Sequence, residues 1–542
     1  MTRLVVIALV VLSGLGDAAP AQRGRGEPPI TAGDDALRCT ALANLDLFNL
    51  PDAPTRILSA RLVDVPANGL EWFPPGISIS TPIKQYCLVT GYVAPQNKFE
   101  MRLPRPSDWN RKFFFTACAG FCGYLSGEAC NPALGRGYAS VTTNGGHDSG
   151  PGFDGLWAAY APRLQEDYGW RGTHIVTIAA KTITTQYYGR AIAHSYISGC
   201  SKGGHGVLKE AQQFPEDYDG YLPIAPVYDL TGRSIASAWW AQAVSDGRGG
   251  SVLNAAAADA VHKSVLGRCG AQAGVDEGLV TDPLTCDWRP EMIKCASAAT
   301  SPDCLTERQV DAVKRLMSPV VNSKREVIYA YPYLPGTETE WTFNYDPVNN
   351  GRFGNYFQGD GFLRFMANVT PRKNLDLFKF DFDRDPATLA RARSIYDATS
   401  YDLRALKARG GKILMWHGWA DGGIMATSSI GYYEGVMKVM GGRQNTEDFF
   451  RLFLIPGTHH CGGGPGFNEF DALTLLENWV EKGQAPDVLI ANRRQTFSSP
   501  DVSTNDVIER SRPVYPYPIR ARYSSGDPKQ ATSFVAVDPS VR

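Results

Sequence analysis

Apolar residues in this chain gather into short runs that stop at glycine-rich turns, and between several of those runs the spacing changes to that of a helix face. Ile83 to Leu103 alternates as a pair of strands does. Lys112-Phe113-Phe114-Phe115-Thr116 is continuous instead and predicts a buried strand, which opens into the small-residue loop Ala117 to Gly123. Tyr138 to Thr143 predicts another strand, Asp167 to Tyr188 helix, Ser195 to Ser198 a strand, and Gly204 to Phe214 helix. After a long interruption the strand pattern resumes at Gly411 to Gly418 and at Arg451 to Pro456, and a closing helix follows from Phe470 to Glu481. That succession predicts an α/β fold built on a parallel sheet.

The interruption, from about Asp229 to Asp385, holds Cys269, Cys286, Cys295 and Cys304 and an aromatic, glycine-broken stretch from Tyr329 to Phe365. It predicts an inserted domain at residues 229–385, between a first core part at 37–228 and a second at 386–542. Pairing of neighbours, Cys269 with Cys286 and Cys295 with Cys304, would staple it, as one of three connectivities. Its aromatics (Trp239, Trp240, Tyr331, Tyr333, Trp341, Phe343, Tyr345, Tyr356, Phe357) read first as the insertion's own core, with an apolar substrate wall as the alternative. No repeat of 20 to 50 residues shows.

Met1-Thr2-Arg3, the apolar run Leu4 to Leu15 and the small residues through Ala21 have the layout of a signal peptide, residues 1–21, with an uncleaved anchor as the alternative. Residues 22–36 read as a disordered leader, with order beginning near Leu37. No later stretch approaches the ~20 apolar residues of a membrane helix. The mature protein is therefore expected to be soluble, and secreted or periplasmic, where eleven cysteines can pair, Cys39 with Cys87 among them. Lys plus Arg (54) balances Asp plus Glu (55), and no basic block interrupts that balance, which argues against nucleic acid or an anionic membrane as partner.

Gly199-Cys200-Ser201-Lys202-Gly203 is a Gly-x-Ser-x-Gly turn between strand and helix, the setting that lifts a serine hydroxyl above a sheet edge. Ser201 is the candidate nucleophile. Serine needs a base, and the base needs a carboxylate to fix its tautomer. Asp421 and His460 each follow a predicted strand, so the order Ser, Asp, His is that of the α/β-hydrolases, with each group past a strand's C-terminal end. His459 is a rival base and His417 a weaker one, inside a strand run. His147-Asp148 is a further candidate pair, and His459-His460-Cys461 a candidate metal cluster, though adjacent side chains seldom converge on one ion. Cys200 and Cys461 flank Ser201 and His460, so if those two touch, the sulfurs are brought near each other, and a disulfide there would clamp the triad.

Cys200-Ser201, Asp421 and His460-Cys461, with Gly145-Gly146-His147-Asp148, Lys379-Phe380-Asp381-Phe382 and Arg451 to Gly457, resemble the tannase and feruloyl esterase family, from about Cys39 to Tyr517. The resemblance implies an α/β-hydrolase core, a triad of Ser201, Asp421 and His460, a Cys200–Cys461 bond, a lid at 229–385 over an aromatic acyl group, and oxyanion donors at the Gly120 and Lys202 N–H groups. The residue after the nucleophile and an early glycine loop are also where elbow geometry puts those donors. Family lids often carry a calcium loop. Here the matching stretch, Gly270 to Gly278, has Gly270 and Ala273 at the first two carboxylate positions and retains Glu277, too few oxygens for calcium. Cys118, Cys122 and Cys130 are an odd number near the oxyanion loop, so one is left free or pairs between chains.

The expectation is a secreted serine esterase that needs no redox or nucleotide cofactor and acts on small aromatic esters, feruloyl or galloyl in type. A mono-ester of terephthalate is the alternative substrate, and an exported serine peptidase or a non-catalytic binding module with a vestigial triad are the alternative functions.

Overall fold

A computed structural model of the chain describes residues 32–72, 77–150, 152–296, 301–349, 352–494 and 507–539. The expected signal peptide, residues 1–21, lies outside them. The leader expected to be disordered through residue 36 is helical from Ala32, in α1 (Ala32–Ala41). Asp34 and Asp35 in its first turn and Arg38 in its last complement the helix dipole, and Cys39 is bonded to Cys87. Tertiary anchoring thus orders a segment whose composition reads as polar tail.

Nine strands form one sheet: β1 (Thr55–Asp64), β2 (Gln85–Val93), β3 (Asn97–Pro104), β4 (Lys112–Thr116), β5 (Ala139–Thr143), β6 (His194–Cys200), β7 (Gly220–Ile224), β8 (Lys412–Gly418) and β9 (Phe450–Ile455), in the order β1-β2-β3-β5-β4-β6-β7-β8-β9. β1, β2, β3 and β5 pair antiparallel, and every pairing from β5 to β9 is parallel. The parallel strands are buried on both faces, which is why their sequences run apolar without alternation. Phe113, Phe115, Ile197, Ile413 and Met415 enter the core cluster on one face, while Phe114, Tyr196, Leu414 and Trp416 enter that on the other. Helices α2 (Gly172–Tyr188), α3 (Lys202–Gln213), α4 (Leu230–Val244), α5 (Ala255–Cys269), α6 (Glu307–Leu316), α7 (Ala426–Met440) and α8 (Ala472–Lys482) complete the larger elements. This architecture is the α/β-hydrolase fold.

Between β7 and β8 the chain leaves the sheet and builds a second cluster around Trp240, Tyr333, Trp341 and Phe362. These aromatics are the insertion's own core. Cys269–Cys286 and Cys295–Cys304 are bonded, the pairing of neighbours. The cluster also takes in Tyr396, past residue 385, and Phe121, Tyr168, Ile424 and Met425 from loops around the site, so the insertion packs directly on those loops. After α8 the chain forms two small antiparallel pairs, β10 (Leu489–Arg494) with β11 (Ile508–Val514) and β12 (Arg520–Tyr523) with β13 (Phe534–Val537). Among the described residues no helix is long and apolar enough to cross a membrane.

Candidate active site

Ser201 stands alone between β6 and α3 with φ +62°, a conformation a side-chain-bearing residue holds only under constraint. Its N–H donates to the Ile224 carbonyl at 3.0 Å, and its carbonyl accepts from His205 at 3.0 Å and Val227 at 3.2 Å. A Cβ at Gly199 would meet the Gly203 carbonyl carbon at 2.6 Å, and one at Gly203 would meet the Ala117 carbonyl oxygen at 2.8 Å. The two glycines therefore let the elbow fold on itself and seat the 117–123 loop against it. The first N–H groups of α3, Lys202 included, have no acceptor within their own helix.

Asp421, wholly buried past β8, receives four donors. Oδ1 accepts the Gly423 and Ile424 N–H groups at 2.8 and 2.7 Å, while Oδ2 accepts His417 Nε2 at 3.0 Å and His460 Nδ1 at 2.7 Å. Burial would raise its pKa, but His460, His417 and these bonds outweigh it and hold the carboxyl well below the usual range. Burial would likewise lower His460, yet the Asp421 carboxylate prevails and raises the ring above its ordinary value. A carboxylate only accepts, so Nδ1 carries the proton and Nε2 keeps its lone pair. Cys200 and Cys461 are joined at 2.02 Å, and a His460 ring nitrogen lies within 4.8 Å of both sulfurs. His460 is thereby held beside the residue that precedes Ser201.

The other histidines separate clearly. His459 bonds Thr339 Oγ1 through Nε2 at 2.8 Å, while the carboxylate of Asp421 goes to its neighbour. His417 is no base: Nε2 donates to Asp421 and, at 2.7 Å, to the Ile424 carbonyl, and Nδ1 accepts from Ser429 at 2.8 Å. His147 stacks on Trp157 at 3.6 Å and burial pushes it down to about 4, while Asp148 pairs with Lys98 at 2.6 Å, so they form no dyad. With both Cys200 and Cys461 spent in a disulfide, the metal-cluster reading of His459-His460-Cys461 loses its thiolate.

Gly120 has φ +61° at the centre of a loop stapled by a Cys118–Cys122 bond of 2.05 Å. Cys130 is the free, buried thiol, pushed up to about 12 by burial. Tyr168 was not singled out by its sequence, yet its hydroxyl donates to the Gly120 carbonyl at 3.1 Å and its ring lies 4.6 Å from Lys202 Nζ. The Lys202 side chain is buried, and burial with nearby Lys209 brings it down to about 7. Glu340 of the insertion was missed too: Oε2 accepts the Gly422 N–H at 2.8 Å and the His460 N–H at 3.0 Å. No local pattern marks either residue, since each acts on chain far away in sequence. A cavity of about 640 Å³ is lined by His460, Gly462 and the Cys200–Cys461 disulfide together with Phe114, Trp416 and Leu473 of the core, and by none of the insertion's aromatics.

The stretch that would match a calcium loop does not fit the ion. Both Glu277 oxygens face the guanidinium of Arg512, in a pair almost completely buried, and Asp276 Oδ1 accepts the Gly278 N–H at 3.0 Å. A cation is already in place there, and it is an arginine of β11.

A model of the tannase and feruloyl esterase family matches residues 82–537. The chain belongs to that family. It is similar to mono(2-hydroxyethyl) terephthalate hydrolase of Piscinibacter sakaiensis, 32% identical over 86% of this chain and 87% of that one. Feruloyl esterase C of Talaromyces stipitatus is 27% identical over 80% and 84%. The crystal structure of an esterase from Aspergillus oryzae covers 93% of this chain and all (100%) of its own, with 25% identity and a TM-score of 0.80. As a member of the family this chain is a carboxylic ester hydrolase.

Proposed function

We propose that the chain cleaves esters of aromatic carboxylic acids through an acyl-enzyme on Ser201. His460 Nε2 takes the serine proton as Oγ attacks the ester carbonyl, Asp421 steadies the imidazolium, and the N–H groups of Gly120 and Lys202 receive the oxyanion. His460 then protonates the leaving alcohol, and water, activated by the same nitrogen, frees the acid. The observation that carries this reading is the 2.7 Å bond from His460 Nδ1 to Asp421, on a loop tied by Cys461 to the residue before Ser201. The relatives named for feruloyl and terephthalate esters support an aromatic acyl group.

Residues 229–385 serve in this reading as the lid, and the Glu277–Arg512 pair stands where family lids hold calcium. Ten of eleven cysteines are paired, which supports export to an oxidising compartment, secreted or periplasmic. The test is turnover of methyl ferulate, methyl gallate and a mono-ester of terephthalate by wild type and Ser201→Ala. Aryl ester hydrolysis that falls at least about 10³-fold in the variant is expected. Turnover confined to short aliphatic esters would overturn the aromatic assignment.

A further inference from the structure

Glu340 sits in the short helical turn Glu338–Asn344 of the insertion. One of its oxygens joins two loops that β8 and β9 deliver separately, by accepting the N–H of the residue after Asp421 and the N–H of His460 itself. The seating is close. A Cβ at Gly422 would stand 2.7 Å from the Glu340 Cβ, so a side chain there would push the insertion off the acid's loop. Thr339 in the same turn bonds His459, whose Nδ1 lies 3.9 Å from Glu340 Oε1.

The charged neighbours come from several elements. Asp421, His460 and His459 face Glu340 from the core, and His417 lies behind Asp421. Arg233 of α4 reaches the Gly423 carbonyl at 3.0 Å, and His262 of α5 is held by Glu338 at 3.1 Å. Burial first, then the like charge of Asp421, push the Glu340 carboxyl up to about 7, while His460 and the two N–H donors pull the other way. The Glu340 charge in turn favours protonated His460.

We propose that Glu340 is a positioning residue of the esterase site, through which the seated insertion fixes the spacing of the Asp421 and His460 loops and supports the imidazolium formed during turnover. This rests on the triad reading above. The insertion is then part of the catalytic geometry as well as a cover, because the base's own backbone N–H is bonded to it.

Glu340→Gln keeps an acceptor oxygen and removes the charge, whereas Glu340→Asp keeps the charge on a shorter arm. The measurement is kcat and KM on an aryl ester from pH 5 to 9, with melting temperature and fluorophosphonate labelling of Ser201 in parallel. Glu340→Gln is expected to move the acidic limb of kcat/KM to lower pH by about half a unit and to lower kcat about tenfold, with KM within about twofold. Glu340→Asp is expected to hold the limb and lose part of kcat. A purely structural loss would lower activity at all pH values and leave the limb where it was.

Wild-type limb and kcat in Glu340→Gln, or a limb displaced as far in Glu340→Asp, would overturn the inference. A wild type that cleaves no aryl ester, or whose Ser201 resists the fluorophosphonate, would remove the triad reading and this inference with it. An active wild type indifferent to Glu340 removes the positioning role alone.

Discussion

The Tyr168 hydroxyl donates to the Gly120 carbonyl at 3.1 Å, and the same ring lies 4.6 Å from Lys202 Nζ, so one tyrosine touches both residues whose N–H groups are proposed to receive the oxyanion. Holding the Gly120 carbonyl restrains the orientation of the peptide that follows it in a left-handed turn. Tyr168→Phe keeps the ring and its packing and removes that restraint. An outright loss of one oxyanion donor costs 10²–10³ in kcat, so a loosened loop is expected to cost about tenfold, with KM little changed. Steady-state kinetics on an aryl ester check it.

The pH profile follows from His460. Its pKa is raised in the folded protein, and only the unprotonated ring can take the serine proton. Activity is therefore present above the raised value and lost as pH falls through it, so the acidic limb of kcat/KM should lie above the ordinary histidine value of about 6.5. A limb below 6 would contradict the Asp421 pairing.

The Cys200–Cys461 bond closes a loop with a sequence separation of 261. Chain-entropy arithmetic puts its stabilising effect at about 5.5 kcal/mol as an upper figure. Cys200→Ser/Cys461→Ser is expected to melt a few degrees lower and to lose kcat more than KM, because His460 loses its tie to the elbow. Melting curves and kinetics on the same preparation separate the two effects.

Calcium gives the fourth test. With Arg512 on Glu277, a chelator should leave the melting temperature unchanged. Glu277→Gln should lower it strongly, since breaking a buried pair costs about 3–5 kcal/mol by stranding the remaining charge. A chelator-induced fall reversed by added calcium would refute the substitution of ion by arginine.

Several features were legible because they are local. The elbow announces itself as glycines two residues either side of a serine, and contact distances show why: Gly199 and Gly203 stand too close for side chains. The parallel strands declared themselves through continuous apolar runs such as Phe113 to Phe115, buried on both faces. Only residues 32–36 of the expected leader depart from it: they begin the helix that Cys39 ties to Cys87, and their polar composition gives no sign of that helix.

Strand propensity, turn chemistry and the order of serine, aspartate and histidine are written in neighbouring residues, and from them the chain alone determined a parallel α/β core, its elbow and three candidate groups. The separation of His460 on Asp421 from His459 on Thr339, the role of His417 beside Asp421, and the reach of Tyr168, Glu340 and Arg512 came only with the folded chain. Hydrogen bonds depend on where atoms stand in space, and Glu340 meets His460 across 120 positions of sequence that carry no trace of the meeting.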